Sequence, residues 1–318
     1  VRRLAAALGT LALLVTAAPV AAVAAEGNPL EKTNGFYVDP DSNPRKWVRD
    51  HPGDSRAAKI RQAIADRPGA RWFGDWSGNI RTATDQYTYA ADVVDKLPVL
   101  VAYNIFGRDC GSHSGGGAKS EEEYRTWIAE FAKGIGGKPS VVILEPDALA
   151  QLDCVPEAGK KVRMSLLKYA TEQLRTYATN TWVYLDAGHS GWHPAATTVQ
   201  RLADAGVANV RGFSLNVSNY HTTANNVTYG NAVKSGLAAR GLTKTFVVDT
   251  SRNGNGPGND WCNPAGRKLG VPSQIGGGSD LLLWVKVPGD SDGDCGIGAG
   301  VPAGQFSPEI AVRLIDGI

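Results

Sequence analysis

Seven short apolar runs recur along this chain with room for a helix between most of them, and that rhythm limits the folds open to it. The runs are Arg71–Trp76, Leu97–Asn104, Ser140–Asp147, Thr181–Gly188, Arg211–Val217, Thr245–Thr250 and Leu281–Val287. Helical periodicity separates most of them. It is clearest from Pro156 to Ala178, where Val162, Leu166, Leu167, Ala170, Leu174 and Tyr177 mark one face. Further helical stretches are read at Ser120–Lys133, Thr197–Ala205 and Tyr229–Ala239. Strands alternating with helices imply a parallel α/β sheet, closed as a barrel or open and doubly wound. Two features favour a barrel. The Gly-rich dinucleotide loop after the first strand is missing, and polar residues crowd the carboxyl end of nearly every strand, the end that carries the chemistry in barrels.

The third run is the most informative. Val141-Val142-Ile143-Leu144 reads as a strand buried on both faces and runs straight into Glu145-Pro146-Asp147. Pro146 has no amide hydrogen for a ladder, so the strand ends there. Asp147 is then held at the mouth of an apolar core, where a carboxyl can be kept protonated and serve as a general acid. Capping of the following helix is the plainer role for such a residue taken alone.

The first 24 residues read as a secretory signal peptide: Arg2 and Arg3, a mostly Ala and Leu stretch from Leu4 to Val20, and a small-residue site at Ala22-Val23-Ala24. Residues 25–318 read as one catalytic domain, secreted and extracellular, whose polar beginning packs outside the barrel with an amphipathic piece near Ser55–Ala65. No later run is long enough to span a bilayer. In an oxidising compartment the four cysteines, Cys110, Cys154, Cys262 and Cys295, imply disulfides, with three pairings possible. Sequential pairing closes two loops of moderate length, each contributing roughly 3–4 kcal/mol on a chain-entropy model. A net charge of +2 without a basic cluster argues against nucleic acid. No phosphate loop, zinc-finger spacing or metalloprotease motif occurs, so neither metal nor cofactor is implied. Asn216-Val-Ser218 and Asn226-Val-Thr228 match the glycosylation sequon, a pattern common by chance.

What ends each strand points to a substrate. The second run leads to Tyr103, Asn104, Arg108 and Asp109, the third to Asp147, and the fourth to Asp186, His189 and Trp192. The fifth gives Asn216 and Asn219, the sixth Asp249 and Arg252, and the seventh Lys286, Asp290 and Asp292. In a barrel these converge on one cleft. Facing carboxylates keep at least one pKa high by repulsion, and aromatic rings suit the apolar faces of a pyranose. Together they point to glycoside hydrolysis. Asp249 and Arg252 are expected to form an internal ion pair, and Trp76, Trp127 and Trp182 to serve packing.

Several stretches then carry a resemblance. Tyr103-Asn-Ile-x-Gly-Arg-Asp109-Cys110, Leu144-Glu-Pro-Asp147, Tyr184-Leu-Asp186-Ala-Gly-His189, Asn216-Val-Ser-Asn219-Tyr220, Val248-Asp249-Thr-Ser-Arg-Asn-Gly-Asn-Gly256, Asp260-Trp261-Cys262-Asn263-Pro264 and Trp284-Val-Lys286 resemble the glycoside hydrolase family 6 cellulases, in order, over most of the chain. The resemblance implies a distorted seven-stranded α/β barrel and inverting hydrolysis of β-1,4-glucan. It implies Asp147 as general acid, Asp109 as the group that keeps it protonated and helps hold the water, Tyr103 as the residue that crowds the reacting sugar, and Asp292 as base. Asp186 and Lys286 would bind sugar, Trp192 would stack on the leaving-group side and Trp261 on the other, and Trp72 would be a further stacking residue. His189 is divided between sugar binding and support of the rim. Where the family carries Glu, this chain has Asp290, one methylene shorter, which weakens or reroutes a hydroxyl contact.

Connections between strands and helices are mostly short, which leaves little to roof the cleft and favours endo action by a monomer on cellulose or a related β-glucan. Exo action is the alternative within the family. A secreted glucan-binding barrel without catalysis is the alternative outside it.

Overall fold

The computed structural model describes residue 1, residues 28–108, residue 110 and residues 115–318. Residues 2–24 of the expected signal peptide, and Asp109, lie outside the described residues.

In chain order the main elements are α1 (Asn43–Asp50), α2 (Ala57–Ile60), β1 (Arg71–Phe73), α3 (Ile80–Asp92), β2 (Val99–Ala102), α4 (Glu121–Ile135), β3 (Ser140–Leu144), α5 (Glu157–Tyr177), β4 (Thr181–Asp186), α6 (Ala195–Asp204), β5 (Gly212–Leu215), α7 (Thr223–Ala238), β6 (Thr245–Asp249), β7 (Gln274–Ile275), β8 (Leu281–Leu283) and α8 (Pro308–Asp316). The strands form one sheet ordered β1-β2-β3-β4-β5-β6-β8-β7. The seven expected runs are its parallel members, and β7 adds a two-residue antiparallel hairpin against β8. The curled sheet is not laddered shut between β1 and β8. Single contacts bridge that seam: the Ala70 amide donates to the Trp284 carbonyl at 2.9 Å and the Trp72 indole to the Val285 carbonyl at 2.8 Å.

Alternation divides each strand between two cores, as period-2 geometry requires. Val99, Val101, Val141, Ile143 and Tyr184 pack inside the curl. Leu100, Ala102, Val142, Leu144, Val183 and Leu185 pack outward against the helices. Each fully buried aliphatic side chain contributes about 1.5–3 kcal/mol, which makes the sheet a rigid base for the loops at its carboxyl end. A third cluster joins Val48 and Ile60 of the N-terminal helices to Ala311 of α8.

Helix α3 has no counterpart in the sequence reading. Its buried face includes Thr84 and Thr88, whose hydroxyls donate to the Ile80 and Thr84 carbonyls at 2.9 and 2.7 Å. Threonines satisfied this way pack like apolar residues but do not show as apolar periodicity. Both sequons fall on fully buried asparagines, Asn216 and Asn226, with side chains committed to backbone carbonyls. Neither is presented to a modifying enzyme.

Candidate active site

A cleft of about 1550 Å³ opens at the carboxyl ends of the strands. Trp72, Tyr103, Asp147, His189, Trp192, Trp261, Lys286, Asp290 and Asp292 all contribute to its wall. Residues from β1 to β8 meet here although they lie more than 200 positions apart in sequence, because parallel strands bring every carboxyl end to one side.

The ladder stops at Leu144, as the proline demands, and the chain then takes left-handed conformations at Glu145 (φ 49°) and Asp147 (φ 68°). Asn216 (φ 69°) and Ser218 (φ 59°) do the same after β5. Such backbone costs about 1–3 kcal/mol per residue for side chains other than glycine and persists only where the surroundings enforce it. At Asp147 the enforcement is visible. Its amide donates to Asp186 Oδ1 at 2.9 Å, and the same carboxylate accepts from the Gly188 amide at 3.1 Å and the Ser214 hydroxyl at 3.0 Å.

Asp186 therefore does not fit the expected part of sugar ligand. It is fully buried and every oxygen is engaged inside the rim. Burial raises its pKa to about 7. Asn216 departs from expectation for the same reason: it is buried, and its amide group bonds the Asp249 and His221 carbonyls. Asp249 follows suit, accepting from the amides of Ser218, Ser251, Val285 and Lys286. Asp186 and Asp249 thus face backwards and staple neighbouring loops.

The expected Asp249–Arg252 pair is replaced by another. Arg252 Nη1 meets Asp292 Oδ2 at 2.8 Å, and Lys286 Nζ meets Asp292 Oδ1 at 3.0 Å. The Tyr220 hydroxyl and the Asn263 amide each add a bond at 3.1 Å. Burial opposes ionisation of Asp292, but the guanidinium and the ammonium overcome it and hold the carboxyl well below the usual carboxylate range. It is a fixed negative charge with low proton affinity.

Asp290 differs sharply from Asp292, two residues on. Burial pushes it up to about 7 against the pull of Lys286. Its Oδ2 accepts from Asn43 Nδ2 at 2.9 Å, while buried Oδ1 has no protein partner among the described residues. Asn43 belongs to α1, and Asp39, Asp41, Ser42 and Lys46 line the cleft beside it. The N-terminal segment, expected outside the barrel, also builds one wall of the site.

Aromatic side chains surround the cleft. Tyr103 stands edge-on to Trp72 at 5.3 Å, with the Arg108 guanidinium 4.5 Å from its ring. Trp192 packs beside His189 (5.1 Å), which stacks on His221 at 4.1 Å. Gly188 makes this possible: it has φ 75°, and a Cβ there would lie 3.1 Å from the Trp192 ring. Burial first, then the neighbouring His221 and His193, lowers the His189 pKa to about 3, so the ring is neutral. The Gly191 amide donates to its Nδ1 at 3.2 Å, which leaves the proton on Nε2.

Trp76, read from sequence as packing, is 56% exposed and lies on the cleft wall. Its ring rests on Gly74, where a Cβ would come within 2.4 Å, and Arg108 lies 5.1 Å from the ring centroid. The only available signal was its spacing four residues after Trp72. Trp127 and Trp182 do serve packing.

The cysteines pair sequentially, Cys110 with Cys154 and Cys262 with Cys295, at Cα separations of 6.2 and 5.9 Å. The first joins the loops after β2 and β3, and the second joins the loop bearing Trp261 to the one bearing Asp292. Among the described residues no group of three or more His, Cys, Asp or Glu side chains is arranged to hold a metal, and no helix is long and apolar enough to cross a membrane.

Comparison with known proteins agrees with this geometry. "Endoglucanase 1" of Streptomyces halstedii is 56% identical over 318 residues, covering 99% of this chain and 98% of that protein. "Endoglucanase A" of Cellulomonas fimi is 46% identical over 290 residues, covering 89% of this chain and 61% of that protein. The structure of the endoglucanase Cel6 from Mycobacterium tuberculosis, in complex with methyl-cellobiosyl-4-deoxy-4-thio-β-D-cellobioside, superposes with a TM-score of 0.83 at 38% identity, covering 92% of this chain and 99% of that one. The sequence profile described as "Glycosyl hydrolases family 6" matches residues 31–317, and a chain that carries this cleft and is matched over nearly its whole length belongs to that family.

Proposed function

We propose that the protein is a secreted, monomeric endo-β-1,4-glucanase that hydrolyses internal bonds of cellulose or a related β-glucan with inversion. The observation that carries this reading is the meeting of Asp147, Asp292 and the rings of Trp72, Trp192 and Trp261 around one cleft. Half-exposed Trp76 and Trp261 extend that cleft to its rim, as a chain entering from solvent requires. Two disulfides at the rim suit an oxidising compartment.

In this mechanism Asp147 protonates the glycosidic oxygen as water attacks the opposite face of the sugar, which inverts the anomeric centre. Asp109, immediately before Cys110 in the chain, keeps the acid protonated and helps hold the water. Tyr103 crowds the reacting ring and favours its distortion. Asp292, paired with two cations, has low proton affinity, so it orients the water, offsets the positive charge developing on the sugar and, as base, takes the proton of the attacking water directly or through intervening water and passes it on to solvent. Lys286 has two of its three hydrogens on Asp292 and the Ser291 carbonyl, which leaves one for a sugar hydroxyl. His189 Nε2 supplies a donor on the cleft wall.

The test is product analysis on a cello-oligosaccharide and on soluble cellulose. The α-anomer should form first, viscosity should fall faster than reducing ends appear, and Asp147→Asn should abolish polymer hydrolysis while binding persists. Initial release of the β-anomer, or substantial hydrolysis by the variant, would overturn the proposal.

A further inference from the structure

Glu145 stands two residues before Asp147 and takes no part in the mechanism above. It is fully buried. Its Oε1 and Oε2 accept from the Asn104 amide at 3.1 and 3.0 Å, and Oε2 also accepts from the Ile105 amide at 3.0 Å. Its own amide donates to the Ala102 carbonyl at 2.8 Å. One side chain at the end of β3 thus holds the backbone on which β2 leaves the sheet, directly after Tyr103. The remainder of that turn is held from elsewhere, Arg108 bonding the Tyr103 carbonyl and Arg163 of α5 the Gly107 carbonyl.

Taking a carboxyl out of water is costly, and burial raises the Glu145 pKa to about 7; an apolar side chain of similar volume fills such a place at less cost when packing is the only requirement. A carboxylate here supplies what an apolar group lacks, an acceptor for two amides that no ladder satisfies. The arrangement is repeated one strand further on, where Asp186 of β4 holds the amide of Asp147.

We infer that Glu145 is a positioning residue: its carboxylate fixes the backbone of Asn104 and Ile105, and through it the placement of the Tyr103 ring against the reacting sugar. The inference rests on the proposed function for the part played by Tyr103. A displacement of about 1 Å in such a group costs on the order of 100-fold in rate.

The experiment is a cycle of Glu145→Gln, Tyr103→Ala and the double variant, assayed for kcat and KM on a cello-oligosaccharide, with amide hydrogen exchange measured on each. Glu145→Gln should lower kcat by about 10- to 100-fold with KM within about twofold. The double variant should be no slower than the slower single one, because both act through one ring. Exchange at Asn104 and Ile105 should quicken while that of β3 stays slow. Unchanged kcat in Glu145→Gln, or losses that multiply in the double variant, would overturn the inference. Should Gln prevent folding, Glu145→Asp, one methylene shorter, is read by the same criteria. If the parent protein hydrolyses no β-glucan, the functional proposal fails by itself, and hydrogen exchange alone still decides whether Glu145 holds the turn.

Discussion

Replacing Arg252 by Met tests how the charge on Asp292 is maintained. Arg252 is 1% exposed, bonds Asp292 Oδ2 at 2.8 Å, and lies 4.4 Å from the Tyr220 ring. Removing one partner of a buried pair costs about 3–5 kcal/mol, because the other charge stays buried. Asp292 keeps Lys286, the Tyr220 hydroxyl and the Asn263 amide, so the lower end applies, about 3 kcal/mol. For a chain of this size that is a fall in Tm of roughly 6 °C. The pH dependence separates charge from packing. Asp292 is held well below its ordinary pKa in the folded protein, so the stability from its pairing is full above the ordinary carboxylate range and is lost progressively as pH falls from that range through the folded-state value. Calorimetry should therefore find the full deficit near pH 6 and one that shrinks steadily as the pH is lowered from about 4 to the acid limit of the measurement. A deficit that stays constant over that whole descent would refute the reasoning, since lost packing does not titrate.

Asp186→Asn carries the opposite sign. Asp186 has a raised pKa of about 7, so its contribution is greatest below the ordinary carboxylate range and is lost as pH rises through neutrality; Tm of the variant relative to the parent should climb between pH 4 and pH 8, and a flat difference would contradict the assignment. Trp76→Ala should raise KM on long oligosaccharides several-fold and leave kcat on short ones unchanged, consistent with about 1 kcal/mol of aromatic contact; equal KM on every length would show that no sugar reaches the ring. Asp290→Glu restores the family's longer side chain at a position where Oδ1 lacks a protein donor, so isothermal titration with an oligosaccharide should show tighter binding in the Asp147→Asn background, and weaker binding would mean that Asn43 alone sets this contact.

Much of the fold was readable because parallel strands buried on both faces leave apolar runs that few other elements produce. All seven runs became strands. Helix α3 escaped because threonines supply part of its buried face, and the open seam escaped because pairing between the first and last strands leaves no local trace. At the site, residue type and position were legible but side-chain direction was not. Asp147 and Asp186 both follow apolar strands, yet one lines the cleft and the other accepts an amide from the first behind it. The partner of Arg252 could not be read for a similar reason: Asp249 is close in sequence, but the chain turns after β6 so that Asp249 faces four amides and the guanidinium meets Asp292.

Both covalent cross-links lie at the catalytic rim, and neither joins two strands of the sheet. Collapse of the doubly buried strands needs no oxidant, whereas closing the rim loops does, each cross-link adding roughly 3–4 kcal/mol on a chain-entropy model. A chain made in a reducing cytosol should therefore keep the circular dichroism of the barrel while its activity rises on thiol oxidation, and equal activity before and after oxidation would refute this. For a producer of the enzyme, yield of folded protein and yield of working enzyme would then be different quantities, with the choice of cellular compartment governing the second.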